Sequence, residues 1–267
     1  MGGRLRIAVA GVAGTLALVP AAAQGGLGLR GFAARFDHCP IGAAVPGHRP
    51  FGREGVGACV DLVAKRGFLR IGSNRQDVTH PVREQFGALE DDAGPRLFIP
   101  PTDGTPWMAT SPEQVPGGMF GVPLGPSSEV TVTVLPAGRM DFSLFAPTTL
   151  PLKFKLDNAF LGPHCFIGSD REPIVLHLQP DVSHAQFEQH GVGQAINGLA
   201  ATDHSFVVPR SNGCEGGELV DAKLGLPSPA GSNAVRLELD AAVASASSVA
   251  KAASRQRPGR RRAPRRP

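Results

Sequence analysis

The chain has 267 residues, 34 of them Gly and 25 Pro, with no Tyr, one Trp and a formal net charge of +4. So much Gly and Pro excludes a mainly helical protein, because both residues interrupt helices and mark turns. The scarcity of Tyr and Trp leaves little from which to build an aromatic platform for sugars.

The charge is unevenly placed. Lys251, Arg255, Arg257, Arg260, Arg261, Arg262, Arg265 and Arg266 gather in residues 251–267 without a single acid, so the rest of the mature chain is net acidic. Residues 1–23 pair Arg4 and Arg6 with an apolar run from Ile7 to Val19, then Pro20 and Ala21 to Ala23. That is the pattern of a cleaved secretory leader, too short in its apolar part for a bilayer span. The chain beyond the leader is long enough for one large all-β domain or two small ones.

Residues 24–38 show no period and read as a loose lead-in. Segments with strand character then appear between turn signals: "GFLRIGS", "EVTVTVLP" with Val130, Val132 and Val134 at alternate positions, and "LPLKFKLDN" with Leu152, Phe154 and Leu156. "PIVLHLQP", "HSFVVP" and "NAVRLELD" add three more. Period two over these lengths predicts half-buried strands, and a chain of them without strong helical stripes predicts antiparallel sheets. The expected fold is mostly β, an antiparallel sandwich over residues 39–243 with long Pro/Gly-rich loops and one or two short helices.

The region from Arg83 to Pro126 is so rich in Pro and Gly that only "RLFIP" reads as able to pair. A helix is expected within "CEGGELVDAKLGL". The Ala-rich "LDAAVASASSVAKAAS" also reads as helical, fading into an Arg-rich disordered end, so that residues 244–267 form a tail.

Two His-Cys pairs, His38-Cys39 and His164-Cys165, raise three possibilities: metal ligation, a nucleophile beside its base, or disulfide anchors. The chain has four cysteines, Cys39, Cys59, Cys165 and Cys214, and an exported chain meets an oxidising compartment, so disulfides are the expected state. Of three possible connectivities, Cys39 with Cys59 and Cys165 with Cys214 joins sequence neighbours across one stretch of turns each. Adjacent side chains on extended backbone point to opposite faces, and no Cys-x-x-Cys or His-x-x-x-His spacing occurs, so no metal site is expected.

No cofactor is expected either. "GVGQAING" places Gly191, Gly193 and Gly198 at the wrong spacing for a dinucleotide loop, and hydrolase, metalloprotease and phosphate-loop motifs are missing. Glu90, Asp91 and Asp92 lack the alternate spacing of a calcium loop. Trp107 is expected to pack on the sheet, and Ser169-Asp170 to form a turn.

The stretches "CPIG", "ACV", "RIGS", "PLKFKLDNAFLGPHCFIGSDREPIVLHL", "DHSFVVPRSNGC" and "VDAKLGLPSPAGSNAVRLELDAAV" together resemble a group of exported proteins of high-GC Gram-positive bacteria, the actinobacteria. The likeness spans about residues 39–243 and implies export, but carries no activity to transfer. His164 departs from that group's pattern around the central Cys, and the Arg-rich end is peculiar to this chain.

The expectation is thus a secreted or envelope-associated structural or interaction module without catalytic residues. A secreted hydrolase with a loop site near Trp107 or Ser169-Asp170 is the alternative. A third reading has Arg255, Arg257, Arg260, Arg261, Arg262, Arg265 and Arg266 hold an anionic polymer such as a wall polymer, nucleic acid or acidic lipid.

Overall fold

The computed structural model describes residues 26–43, 56–89, 96–118 and 128–256. The expected leader, the acidic trio Glu90 to Asp92 and the tail arginines from Arg257 to Arg266 lie outside the described residues.

In chain order the strands are β1 (Ala58–Ile71), β2 (Asn74–Val78), β3 (Val82–Ala88), β4 (Arg96–Ile99), β5 (Met108–Ala109), β6 (Glu113–Gln114), β7 (Thr131–Pro136) and β8 (Asp141–Phe142). They continue with β9 (Thr148–Asp157), β10 (Phe166–Ile167), β11 (Ile174–Asp181), β12 (Gln186–Gln189), β13 (Gln194–Asp203), β14 (Ser211–Asn212) and β15 (Ala234–Ser245). Among the described residues a 3-10 turn covers Gly31–Phe36, and two helices follow late in the chain, α1 (Gly217–Leu224) and α2 (Ala246–Gln256).

Every ladder is antiparallel, and alternation decides which residues face in. On β9, Leu150, Leu152, Phe154 and Leu156 are buried while Lys153 and Lys155 reach outward. On β11 the same holds for Ile174, Leu176 and Leu178.

The sandwich is closed on itself. The path β11-β13-β15-β1-β3-β4-β8-β9 returns to β11, because β11 serves two neighbours in turn. Its first part pairs with β9, from Ile174 opposite Leu152 to Leu178 opposite Thr148, and its last part with β13, Gln179 opposite Thr202 to Asp181 opposite Ala200. On the other side β4 makes the corresponding crossing, from β3 to β8. Strands that switch sheets in this way form the corners of a flattened barrel.

Gly67 lies in β1 beside an irregularity in its ladder with β15. Its φ is +153°, and a Cβ there would stand 2.1 Å from the Arg236 carbonyl oxygen, so the close approach of the two strands requires Gly.

Two apolar cores result. One fills the barrel, with Phe86, Ile174, Ile196 and Phe206 among its most buried members. The other lies on the outer face of β1 and β15, where Phe36 of the 3-10 turn and Val249 and Ala253 of α2 pack with Cys39 and Cys59.

That second core corrects three expectations. The lead-in packs as defined structure over residues 26–38, since burying Phe36 holds it against the sheet. Residues 239–245 are strand rather than helix: β15 is hydrogen-bonded to β1 on one side and β13 on the other, and Ala241 and Ala242 are fully buried. A position between two neighbours favours extended chain over the helical preference of Ala. The tail boundary also moves, because α2 reaches Gln256 with one apolar face covered. Finally, "HSFVVP" forms only a bridge between Val208 and Ser228, since the fully buried Asn233 donates its side-chain amide to the Phe206 carbonyl there.

Candidate functional site

On β3 the inward residues are Val82, Glu84 and Phe86. Arg83 and Gln85 point the other way: Arg83 Nε donates to Asp61 at 2.6 Å, and the Gln85 amide donates to the Arg35 carbonyl at 2.6 Å. Arg35 Nε reaches the same Asp61 at 2.6 Å, so this fully buried carboxylate is held between two guanidinium groups. Glu84 has no such company. It stands opposite Leu62 on β1 and Met108 on β5, facing into the barrel.

There it meets a cavity of about 140 Å³, whose wall includes Leu62, Val82, Phe142, Leu176 and Leu237. The other polar side chains in that wall, Ser143 and Thr148, are satisfied. Thr148 Oγ1 donates to the Ser143 carbonyl at 2.9 Å and accepts the Ser143 N–H at 3.0 Å, while Ser143 Oγ accepts two backbone N–H groups. The Glu84 carboxyl makes no hydrogen bond or ion pair with the described residues, and Glu84 is part of the cavity wall. Burial disfavours its charged form and pushes its pKa from 4.5 up to about 7.

A second cavity, of about 320 Å³, abuts the first and shares Leu69, Val78, Val82, Val134 and Phe154 with it. Its far wall is made by β2, β6 and α1. Gln76 Oε1 is buried there without a partner among the described residues. Lys223 on α1 donates to the Gly118 carbonyl, and desolvation lowers its pKa. Burial would raise Glu113, but hydrogen bonds from Thr79 and His80 hold it below the ordinary carboxylate range.

The position of α1 is set by its attachments: Asp221 accepts the Ser211 N–H at 2.8 Å, and the preceding Cys214 is bonded to Cys165. Gly213, at φ +67°, makes room for that bond, since a Cβ would lie 2.2 Å from the His164 carbonyl oxygen.

The cysteines pair as expected, Cys39 with Cys59 and Cys165 with Cys214. The His-Cys echo is therefore two separate anchors. His38 turns away from its disulfide to Asp103, at 2.7 Å, and Thr105 Oγ1 contacts the same ring nitrogen at 3.1 Å. A nucleophile-His-acid relay places the two partners on opposite ring nitrogens, and here both meet Nδ1, so the cluster fastens a loop. Burial opposes ionisation of Asp103, yet hydrogen bonds from His38 and Thr105 keep its pKa low.

Ser169 and Asp170 form a turn: Ser169 Oγ accepts the Glu172 N–H and Asp170 pairs with Lys153. Trp107 packs edge-on against Phe98 at 4.8 Å. Arg255 is exposed near the end of α2. Among the described residues, no group of three His, Cys, Asp or Glu side chains is placed to hold a metal ion.

Sequence reasoning passed over Glu84, although the signal was present. In "VREQF" the alternate positions Val82, Glu84 and Phe86 share one face, which places a carboxyl in an apolar row. Comparison of the chain with protein-family profiles, curated proteins and solved structures gave no match.

Proposed function

We propose that this protein is an exported binding module that holds an apolar small molecule inside its closed barrel. The observation that carries the reading is the pair of abutting cavities, walled by inward-facing strand residues, with a few polar groups left to meet a guest. Ligand sites are characteristically concave, mostly apolar and sparingly polar. Side chains such as Leu69, Val134, Leu237 and Leu239 are only partly buried although they belong to the barrel's interior, so the cavities leave apolar surface to be covered. Covering such surface drives binding in proportion to its area, at roughly 25 cal/mol per Å².

Two disulfides fit an oxidising compartment, and no helix among the described residues is long and apolar enough to cross a membrane. The leader-like residues 1–23 and the resemblance to exported actinobacterial proteins support export. The interaction role read from the sequence thus acquires an inside surface in place of an outer one.

Titration of the secreted protein with N-phenyl-1-naphthylamine tests this. Saturable enhancement at one equivalent, reversed by a medium-chain alcohol and lost in Leu62→Trp, is the expected result. Enhancement that never saturates, or that survives filling of the cavity, overturns the reading.

A further inference from the structure

We infer that Glu84 is the anchor for the head group of the bound molecule, and that this head is a hydrogen-bond donor, an amine or a hydroxyl, on an otherwise hydrocarbon body. The inference rests on the binding reading above and adds the chemistry of its occupant.

On folding grounds alone Glu is a poor residue for this position. Its backbone neighbours in register are Leu62 and Met108, and its neighbours along the same face are Val82 and Phe86. A Leu in the same place would cover apolar surface with no desolvation of a carboxyl, whereas a carboxyl left unpaired in such a wall is costly. Departures from local pattern of this kind concentrate at functional sites.

Asp61 is fully buried, but Arg35 and Arg83 satisfy it. Nothing among the described residues does the same for Glu84, so its partner is to come from the cavity. Among the described residues, the walls that β1, β2, β5, β7, β8, β9, β11, β13 and β15 bring to this cavity contain no other titratable side chain. Arg75, Asp77, Glu113 and Lys223 line the adjoining cavity, and Arg83 on the same strand points outward to Asp61.

Once ionised, a carboxyl alone among hydrocarbon only accepts, and so favours a group that donates. An ammonium supplies both a donor and the opposite charge, and a hydroxyl supplies a donor. Beside the ionised form a carboxylate head would set two like charges together. Room for the body is present: an engineered apolar cavity of about 150 Å³ takes up benzene, and the cavity at Glu84 adjoins one more than twice its own volume.

The test displaces bound N-phenyl-1-naphthylamine with 1-aminododecane, 1-dodecanol or dodecyl methyl ether, below their aggregation limits. The full-length secreted protein is compared with Glu84→Gln and Glu84→Leu at pH 5.5 and 8. At pH 8 wild type is expected to prefer the amine and the alcohol to the ether by about tenfold or more, the scale of one hydrogen bond to a charged group. The amine's advantage should grow toward pH 8, as Glu84 ionises, and that pH dependence should vanish in both variants. Glu84→Leu should lose the preference for both donors over the ether, while Glu84→Gln, which retains an acceptor, should keep part of the preference for the alcohol.

Equal displacement by all three from wild type at pH 8, or an unchanged preference in Glu84→Leu, overturns the anchor and leaves the binding module standing. A probe that never binds removes both.

Discussion

Glu84, half-buried in the barrel wall, and Asp61, fully buried on the adjacent strand, show how an enclosed carboxyl is read from its partners rather than from its burial. For Glu84 the folded pKa, about 7, lies above the ordinary 4.5, so the native state holds the proton more firmly than the unfolded chain does. Its contribution to stability is fully present below about pH 4.5 and is lost as the pH rises through 7. Between these limits the loss amounts to roughly 3 kcal/mol, taking about 1.4 kcal/mol per pH unit. Glu84→Gln should therefore be the more stable protein at pH 8, and urea midpoints measured from pH 5 to 8 should show a falling trend in wild type that flattens in the variant. An identical pH trend in the two would mean that the carboxyl is not desolvated. At this scale the sequence was legible but misweighed: the alternation through "VREQF" is plain, while the satisfaction of Asp61 depends on Arg35, far away in the chain.

Among the elements, the strands with clean alternation were readable, and β7, β9, β11 and β15 all begin within two residues of their expected places. The failures share a cause. Residues 239–245 have the composition of a helix, yet the ladders on both flanks of β15 extend it to Ser245. Conversely, β3, β5 and β6 lie in the stretch richest in Pro and Gly, where β5 and β6 have only two residues each and are defined by the partner rather than by any period. The helix α2 continues directly from β15 and hides Val249 completely against the second core. A chain ended after Gln256 should thus keep the full thermal stability of the longer protein. One ended after Val243 should lose several degrees, since removing a buried apolar residue of this size costs about 2 kcal/mol or more. Calorimetry of the two truncations against the full chain decides it, and equal losses would place the stabilising contacts in the Arg-rich segment.

In the whole molecule, what the strand pattern could not disclose was closure. Whether sheets meet at both sides depends on pairings between distant segments, such as β13 with β15, and on one strand, β11, dividing itself between two partners. The disulfides were predictable from compartment and spacing, but their separate duties were not. Cys39–Cys59 fastens the outer layer to β1, whereas Cys165–Cys214 fastens the segment that leads into α1, and hence one wall of the larger cavity. Replacing Cys165 and Cys214 by Ala should speed amide hydrogen exchange in α1 and shorten the residence of the naphthylamine probe, while exchange in β1 and β15 changes little. Uniform acceleration across the barrel would show that the bond supports the whole fold instead.

The side-by-side arrangement of β1 and β15, with Ala58 opposite Ser245, bears on how the molecule responds to tension. A force applied to the two ends of the fold meets the start of β1 and the finish of β15 at the same end of their shared ladder. It therefore peels the ladder one rung at a time, like a zip, instead of loading every rung together in shear. Such a protein yields easily when stretched between two attachments and is mechanically at rest when moored by one.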